Sequence, residues 1–178
     1  MRIISGAHKG RRLVAPKKLP VRPTTDRSKE ALFNILQHQY DWDKTSVLDL
    51  FSGTGSISYE FGSRGVKNII AVDQNKMCVD FIRKTSESLK LQIQVTQMDT
   101  LKYLSAVKTR FDLIFADPPY HLEIQKYMLI IETVFTNQLL KKDGVLIIEH
   151  NESKDLKQNP KFTRSRKYGS NLFSFFEG

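Results

Sequence analysis

Five short apolar runs recur along the middle of the chain: Ser46–Phe51, Asn68–Asp73, Gln92–Met98, Phe111–Ala116 and Gly144–Glu149. They are β-branched and mostly unalternating, the pattern of strands buried on both faces. Longer amphipathic stretches separate them. Cys78, Phe81, Ile82, Thr85 and Leu89 fall on one helical face, and so do Met128, Ile131, Phe135 and Leu139. This alternation predicts a Rossmann-like α/β fold, with a mostly parallel central sheet and helices on both faces. Thr24-Thr25-Asp26 offers an N-cap and a first-turn acid for a helix running to about His38, with Leu32, Ile35 and Leu36 as its buried stripe. After Asn159-Pro160, Lys161–Tyr168 and Asn171–Phe176 read as an antiparallel C-terminal hairpin turning at Gly169-Ser170. The 178 residues fit one domain: a basic extension over 1–24, read as a hairpin, and a core over 25–178.

Acids stand at or near the ends of successive strands: Asp49, Asp73, Asp99 and Asp117, spaced by 24, 26 and 18 residues. A lone strand-end acid is usually a helix cap. In a parallel sheet, however, all carboxyl ends lie on one edge, and ligands bind where the strand order reverses. Four such acids in register therefore predict one acid-lined crevice.

The first strand leads into Phe51-Ser52-Gly53-Thr54-Gly55, whose glycines allow a sharp turn and close approach to a ligand. The dinucleotide pattern would need glycine at position 58, which is Ser58. Asp73 follows Gly53 by 20 residues, where a carboxylate can accept both hydroxyls of a ribose. These features fit a nucleoside-bearing ligand without a pyrophosphate. Asp117-Pro118-Pro119-Tyr120 is the sharpest motif. Consecutive prolines fix their own φ and bias Asp117 toward an extended backbone. The Asp117 carboxylate and the Pro118 carbonyl then form two fixed acceptors, matching the two hydrogens of an amino group. Tyr120 supplies a flat face for a stacked base.

The net charge of +9 is unevenly placed. Residues 1–30 carry nine Lys and Arg against two acids, residues 46–150 balance twelve against twelve, and the tail from Asn151 adds +3. Localised basicity points to a polyanionic partner. Arg2, Lys9, Arg11, Arg12, Lys17, Lys18 and Arg22 precede the first core helix, and Lys9, Arg11, Arg12 and Arg22 are candidate phosphate contacts.

Together, Phe51-Ser52-Gly53-Thr54-Gly55 and Asp117-Pro118-Pro119-Tyr120 resemble class I amino-methyltransferases acting on DNA adenine or RNA bases. The whole chain resembles the RsmD family of bacterial 16S rRNA guanine-N2 methyltransferases. That narrower resemblance rests on Met1-Arg2-Ile3-Ile4-Ser5-Gly6, Gly10-Arg11-Arg12-Leu13, Arg22-Pro23-Thr24-Thr25-Asp26-Arg27, Glu30-Ala31-Leu32-Phe33-Asn34, Ser63-Arg64-Gly65 and Tyr168-Gly169. It implies the class I methyltransferase fold, S-adenosylmethionine as cofactor, and rRNA, free or in an assembling small subunit, as partner. It also implies in-line methyl transfer to an exocyclic amino group at Asp117, Pro118, Pro119 and Tyr120. Asp73 is expected at the cofactor's ribose and Asp99 at its adenine amino group. Asp49, with the Phe51, Gly53 and Gly55 turn, is expected at its methionine moiety.

Three other readings share some of these features. A DNA adenine-N6 methyltransferase needs the same acceptors but usually carries a target-recognition insertion, for which this chain has no room. A nicotinamide-dependent oxidoreductase uses the same sheet but lacks a reason for the two prolines. A non-catalytic RNA-binding module explains the basic ends and not Asp117-Pro118-Pro119-Tyr120. His8, His38, His121 and His150 show no metal-ligand spacing, and the single Cys78 sits on an apolar helical face. No apolar run approaches the roughly 20 residues of a membrane span. The start, Met1-Arg2-Ile3-Ile4-Ser5-Gly6, lacks the apolar stretch and cleavage site of a secretory signal, so a cytoplasmic monomer without metal is expected.

Overall fold

The structure, a computed structural model, describes residues 1–16, 19 and 25–178. Seven strands form one sheet: β1 (Ser46–Leu50), β2 (Asn68–Asp73), β3 (Ile93–Gln97), β4 (Phe111–Ala116), β5 (Leu140–Asn151), β6 (Phe162–Tyr168) and β7 (Asn171–Glu177). Their order is β3-β2-β1-β4-β5-β7-β6, with β1 to β5 parallel and the β6–β7 hairpin antiparallel. The helices are α1 (Asp26–Leu36), α2 (Ser56–Ser63), α3 (Lys76–Leu89), α4 (Thr100–Ala106) and α5 (Ile124–Thr136). A parallel, doubly covered sheet with an antiparallel C-terminal hairpin is the architecture that the alternating pattern predicts.

Adjacent strand residues divide between the two faces. Leu48, Leu50, Ile114 and Ile148 pack under α4 and α5, against Leu104, Tyr127, Ile130 and Val134. Val47, Leu113, Phe115 and Ile147 pack under α1 and α2, against Leu32, Phe33, Leu36 and Phe61. Ala71 meets Ile82 and Leu89 of α3 on that same side.

Three local expectations change. β3 is an edge strand whose residues are partly or fully exposed, so it is not buried on both faces. The buried face of α5 is Tyr127, Ile130, Ile131 and Val134, which leaves Met128 and Phe135 at its margin. In α1, Phe33 replaces Ile35 in the buried stripe, and the helix ends at Leu36. Both helical shifts follow from neighbours that a single-helix periodicity does not include. Thr25 caps α1 as expected, accepting from the Ser28 N–H at 3.1 Å.

The described part of the N-terminal segment is a hairpin docked on the core. Arg2 bridges Arg12, the Ile3 N–H donates to the Arg11 carbonyl, and Ile3 is buried beside Tyr59. Gly6 takes φ +80°, and a Cβ there would lie 1.8 Å from the Ser63 carbonyl oxygen, so only glycine lets the hairpin tip meet the end of α2. Glu60 anchors the joint. Its fully buried carboxylate accepts from the Ile4 N–H at 2.8 Å, the Ser5 N–H at 3.0 Å and the Arg64 Nε at 2.9 Å. Lys29 of α1, also buried, lies 3.8 Å from Glu60 and donates to the Arg2 carbonyl and the Ser56 hydroxyl. Burial depresses the Lys29 pKa, and the Glu60 charge opposes that shift.

Removing one member of a buried, hydrogen-bonded ion cluster leaves the other uncompensated. Glu60→Ala is therefore expected to lower the unfolding free energy by about 3–5 kcal/mol. Urea unfolding followed by circular dichroism measures it, and a loss below roughly 1 kcal/mol, the size of an exposed pair, would show that Glu60 does not anchor the joint.

Candidate active site

The sheet reverses its order between β1 and β4, and the carboxyl ends of those strands open into a crevice. This cavity, about 670 Å³, lies within the range of small-molecule sites. Asp49, Asp73, Asp99 and Asp117 all line it, as do Phe51, Gly53, Pro118, Pro119 and Tyr120. The four strand-end acids thus converge on one edge, as their register predicts.

The turn after β1 is held by β2. The Gly53 N–H donates to Asp73 Oδ2 at 2.8 Å, and the Asn75 N–H donates to Oδ1 at 2.8 Å. Each carboxylate oxygen retains acceptor capacity. Phe51 takes φ 56°, a conformation that a bulky residue adopts only under constraint from its surroundings. Gly55 takes φ +77° as the N-cap of α2, and a Cβ there would stand 2.7 Å from the Tyr59 ring. Gly55 therefore lets the turn pack on its own core and does not line the crevice.

The acids differ in environment. Asp49 is buried, with Oδ2 accepting from both the Ser58 N–H and the Ser58 hydroxyl. Burial, with a smaller contribution from Asp73, raises its pKa to about 7 despite those bonds. Asp99 is exposed, and its Oδ1 caps α4 by accepting from the Lys102 N–H at 3.1 Å. It is both the helix cap that a lone strand-end acid usually is and a wall of the crevice. Asp117 sits at the end of β4, its N–H directed to the Leu50 carbonyl at 3.4 Å. Burial first, then the charges of Glu149 and Asp49, push its carboxyl well above the ordinary range.

A smaller cavity, about 120 Å³, adjoins the crevice and is lined by Thr25, Asp117, Tyr120, Glu149, Tyr168 and Asn171 among others. Only Asp117 and Tyr120 line both spaces among the described residues. Tyr120 is 42% exposed, and its hydroxyl accepts from Asn171 Nδ2 at 3.1 Å, which fixes the ring at the junction. The Pro119 carbonyl is occupied by the Leu122 N–H at 2.8 Å, whereas the Pro118 carbonyl has no partner among the described residues. Within the Asp117-Pro118-Pro119-Tyr120 motif, that leaves the Asp117 carboxylate and the Pro118 carbonyl as available acceptors.

Glu149 and Asn171 were not among the residues singled out from sequence. Glu149 closes an apolar run as Asp73 does, so the strand-end rule could have found it. Asn171 carries no such signal, because only the antiparallel pairing of β7 with β5 brings it beside Glu149. Of the expected phosphate contacts, Lys9, Arg11 and Arg12 are exposed on the docked hairpin, while Arg22 lies outside the described residues, as do the basic Lys17 and Lys18. Among the described residues there is no metal-binding cluster, and no helix is long and apolar enough to cross a membrane.

The family described as "Conserved hypothetical protein 95" matches residues 1–177. The chain is 34% identical over 177 residues to the "Putative rRNA methyltransferase YlbH" of Bacillus subtilis, covering 95% of this chain and 94% of the relative. It is 32% identical over 164 residues to the ribosomal RNA small subunit methyltransferase D of Haemophilus influenzae, covering 88% and 81%. The solved structure of the "Putative methyltransferase yhhF" of Escherichia coli superposes with a TM-score of 0.85 at 26% identity, covering 99% of this chain and 96% of that one. The chain belongs to this methyltransferase family, alongside YlbH and the small subunit methyltransferase D.

Proposed function

We propose that this protein transfers a methyl group from S-adenosylmethionine to the exocyclic N2 of a guanine in bacterial small-subunit rRNA. One observation carries the reading: Asp117 and Tyr120 stand at the junction of a large acid-lined crevice and a smaller cavity beside it. A cofactor in the first and a base in the second would meet at Asp117. The likeness to rRNA methyltransferases supports the choice of substrate.

The crevice suits the cofactor by its donor set. Asp73 keeps lone pairs for a ribose diol while its backbone bonds hold the turn in place. Asp99 keeps one oxygen for an adenine amino group. Asp49, poised near neutrality by burial, is ionised more readily beside the methionine ammonium. When bound, the cofactor supplies an electrophilic methyl on a sulfonium. Asp117 and the Pro118 carbonyl accept the two N–H bonds of the target amino group, turn its lone pair toward that methyl and stabilise the developing positive charge. Tyr120 stacks on the base, which must leave its helix or already be unpaired.

The basic hairpin is suited to phosphates. Lys9, Arg11 and Arg12 are exposed, and Glu60 holds the facing arm of the hairpin against the core at Ile4 and Ser5. Arg2 instead pairs with Asp26 at 3.2 Å.

Three outcomes test this reading. Asp117→Ala abolishes transfer of labelled methyl to unmodified 30S subunits or 16S rRNA, while calorimetry still detects cofactor binding. Near-normal turnover in a folded variant would remove Asp117 from the reaction.

Asp117→Asn separates catalysis from stability. The folded-state pKa of Asp117 is raised, so its destabilising effect is absent below the unfolded carboxylate value of about 3.9 and grows as pH rises through the folded value. The variant is expected to match the parent near the acid end and exceed it in unfolding free energy at alkaline pH. A pH-independent difference in denaturant titrations would contradict the burial argument.

Replacing Arg11 and Arg12 together by alanine weakens RNA binding and flattens its logarithmic salt dependence by about one to two units. Cofactor affinity stays at the parental value. An unchanged salt slope would move RNA docking away from the hairpin.

A further inference from the structure

The smaller cavity contains a carboxylate that neither the fold nor the proposed transfer step requires. Glu149 is 2% exposed and sits next to the C-terminal end of β5. Its Oε1 accepts from Asn171 Nδ2 at 2.6 Å, whereas Oε2 is buried without a hydrogen-bond partner among the described residues. Asn171 also donates to the Tyr120 hydroxyl, so one amide fixes both the acid and the ring expected to stack on the base. A buried, unpartnered carboxylate oxygen costs stability and calls for a donor. Asp117, a second and partly buried carboxylate lining the same cavity, makes that need greater.

We propose that Glu149 Oε2 is the base-reading acceptor of the site, taking the N1–H of the target guanine while Asp117 and the Pro118 carbonyl take the two N2 hydrogens. This rests on the guanine-N2 reading above. Guanine presents three N–H bonds along one edge, enough to satisfy both carboxylates and the free carbonyl. Adenine presents only two hydrogens there, beside the lone pair of N1. An adenine N1 facing Glu149 would set acceptor against acceptor and leave both unpaired. The same two amino-group acceptors can serve either purine, and so cannot distinguish them. Glu149 can. Because it contacts N1 and not the reacting nitrogen, its role is specificity, and Asn171 positions it through Oε1.

2-Aminopurine tests this directly, since it keeps the exocyclic amino group at C2 but has a lone pair in place of N1–H. Glutamine at 149 can still accept from Asn171 and can donate to that lone pair. The guanine methylated by the parent in unmodified small-subunit RNA is first mapped, and ligated RNA carrying guanine or 2-aminopurine at that position is then compared for Glu149→Gln and the parent. The parent is expected to methylate guanine and to reject 2-aminopurine. In Glu149→Gln, kcat/KM for guanine falls by about 10- to 100-fold, the effect of losing a hydrogen bond to a charged group. Its preference for guanine over 2-aminopurine narrows by at least about tenfold, with cofactor affinity unchanged. A variant that methylates guanine with parental kcat/KM overturns the assignment, as does one that loses activity on both bases equally. A parent that methylates no guanine N2 in this RNA instead overturns the guanine-N2 reading, and is distinguished before any variant is made.

Discussion

Reversal of the strand order between β1 and β4 is the constraint on which the rest of the molecule depends. Parallel strands with helical crossovers leave their carboxyl ends on one edge, and the reversal parts the helices that would otherwise close it. Residues separated by 68 positions, Asp49 and Asp117, therefore wall one cavity. The turn after β1 is braced across the sheet by Asp73, so the position of the glycines depends on β2 as well as on their own backbone freedom.

Charge burial is the cost of this arrangement. Asp49, Asp117 and Glu149 all have pKa values raised principally by burial. None has an arginine or lysine partner among the described residues, in contrast to Glu60, which has Arg64 and Lys29. The two groups of acids thus serve opposite ends. Glu60 is neutralised by cations and stitches the hairpin to α1 and α2. The crevice acids oppose stability unless a ligand supplies hydrogens or positive charge, which is the usual compromise at a binding site.

The same docking gives the basic segment its orientation. Hairpin hydrogen bonds alone would leave a small, marginal ribbon. The carboxylate of Glu60 and the glycine contact at Ser63 fix it to α2, the helix that follows the turn after β1. Surface charge on the hairpin is thereby held in a set relation to the crevice without lining it.

The sequence by itself determined the core strands, the C-terminal hairpin and the helices α1, α3 and α5, because apolar runs and helical stripes are written locally. It left the short helices α2 and α4 unplaced. It also determined the acid register and the Asp117-Pro118-Pro119-Tyr120 motif, whose rigidity follows from proline geometry alone. Tertiary structure decided what neighbours decide. It moved the buried face of α5 to Tyr127 and Val134, because the sheet beneath selects the stripe. It made β3 an edge strand, which no property of Gln92–Met98 specifies. It fastened the N-terminal hairpin through Glu60, a residue 56 positions beyond Ile4. It also paired β7 with β5, bringing Asn171 to Glu149 and Tyr120. Antiparallel register depends on long-range hydrogen bonding between strands, so the second cavity and its unpartnered oxygen exist only in the folded chain.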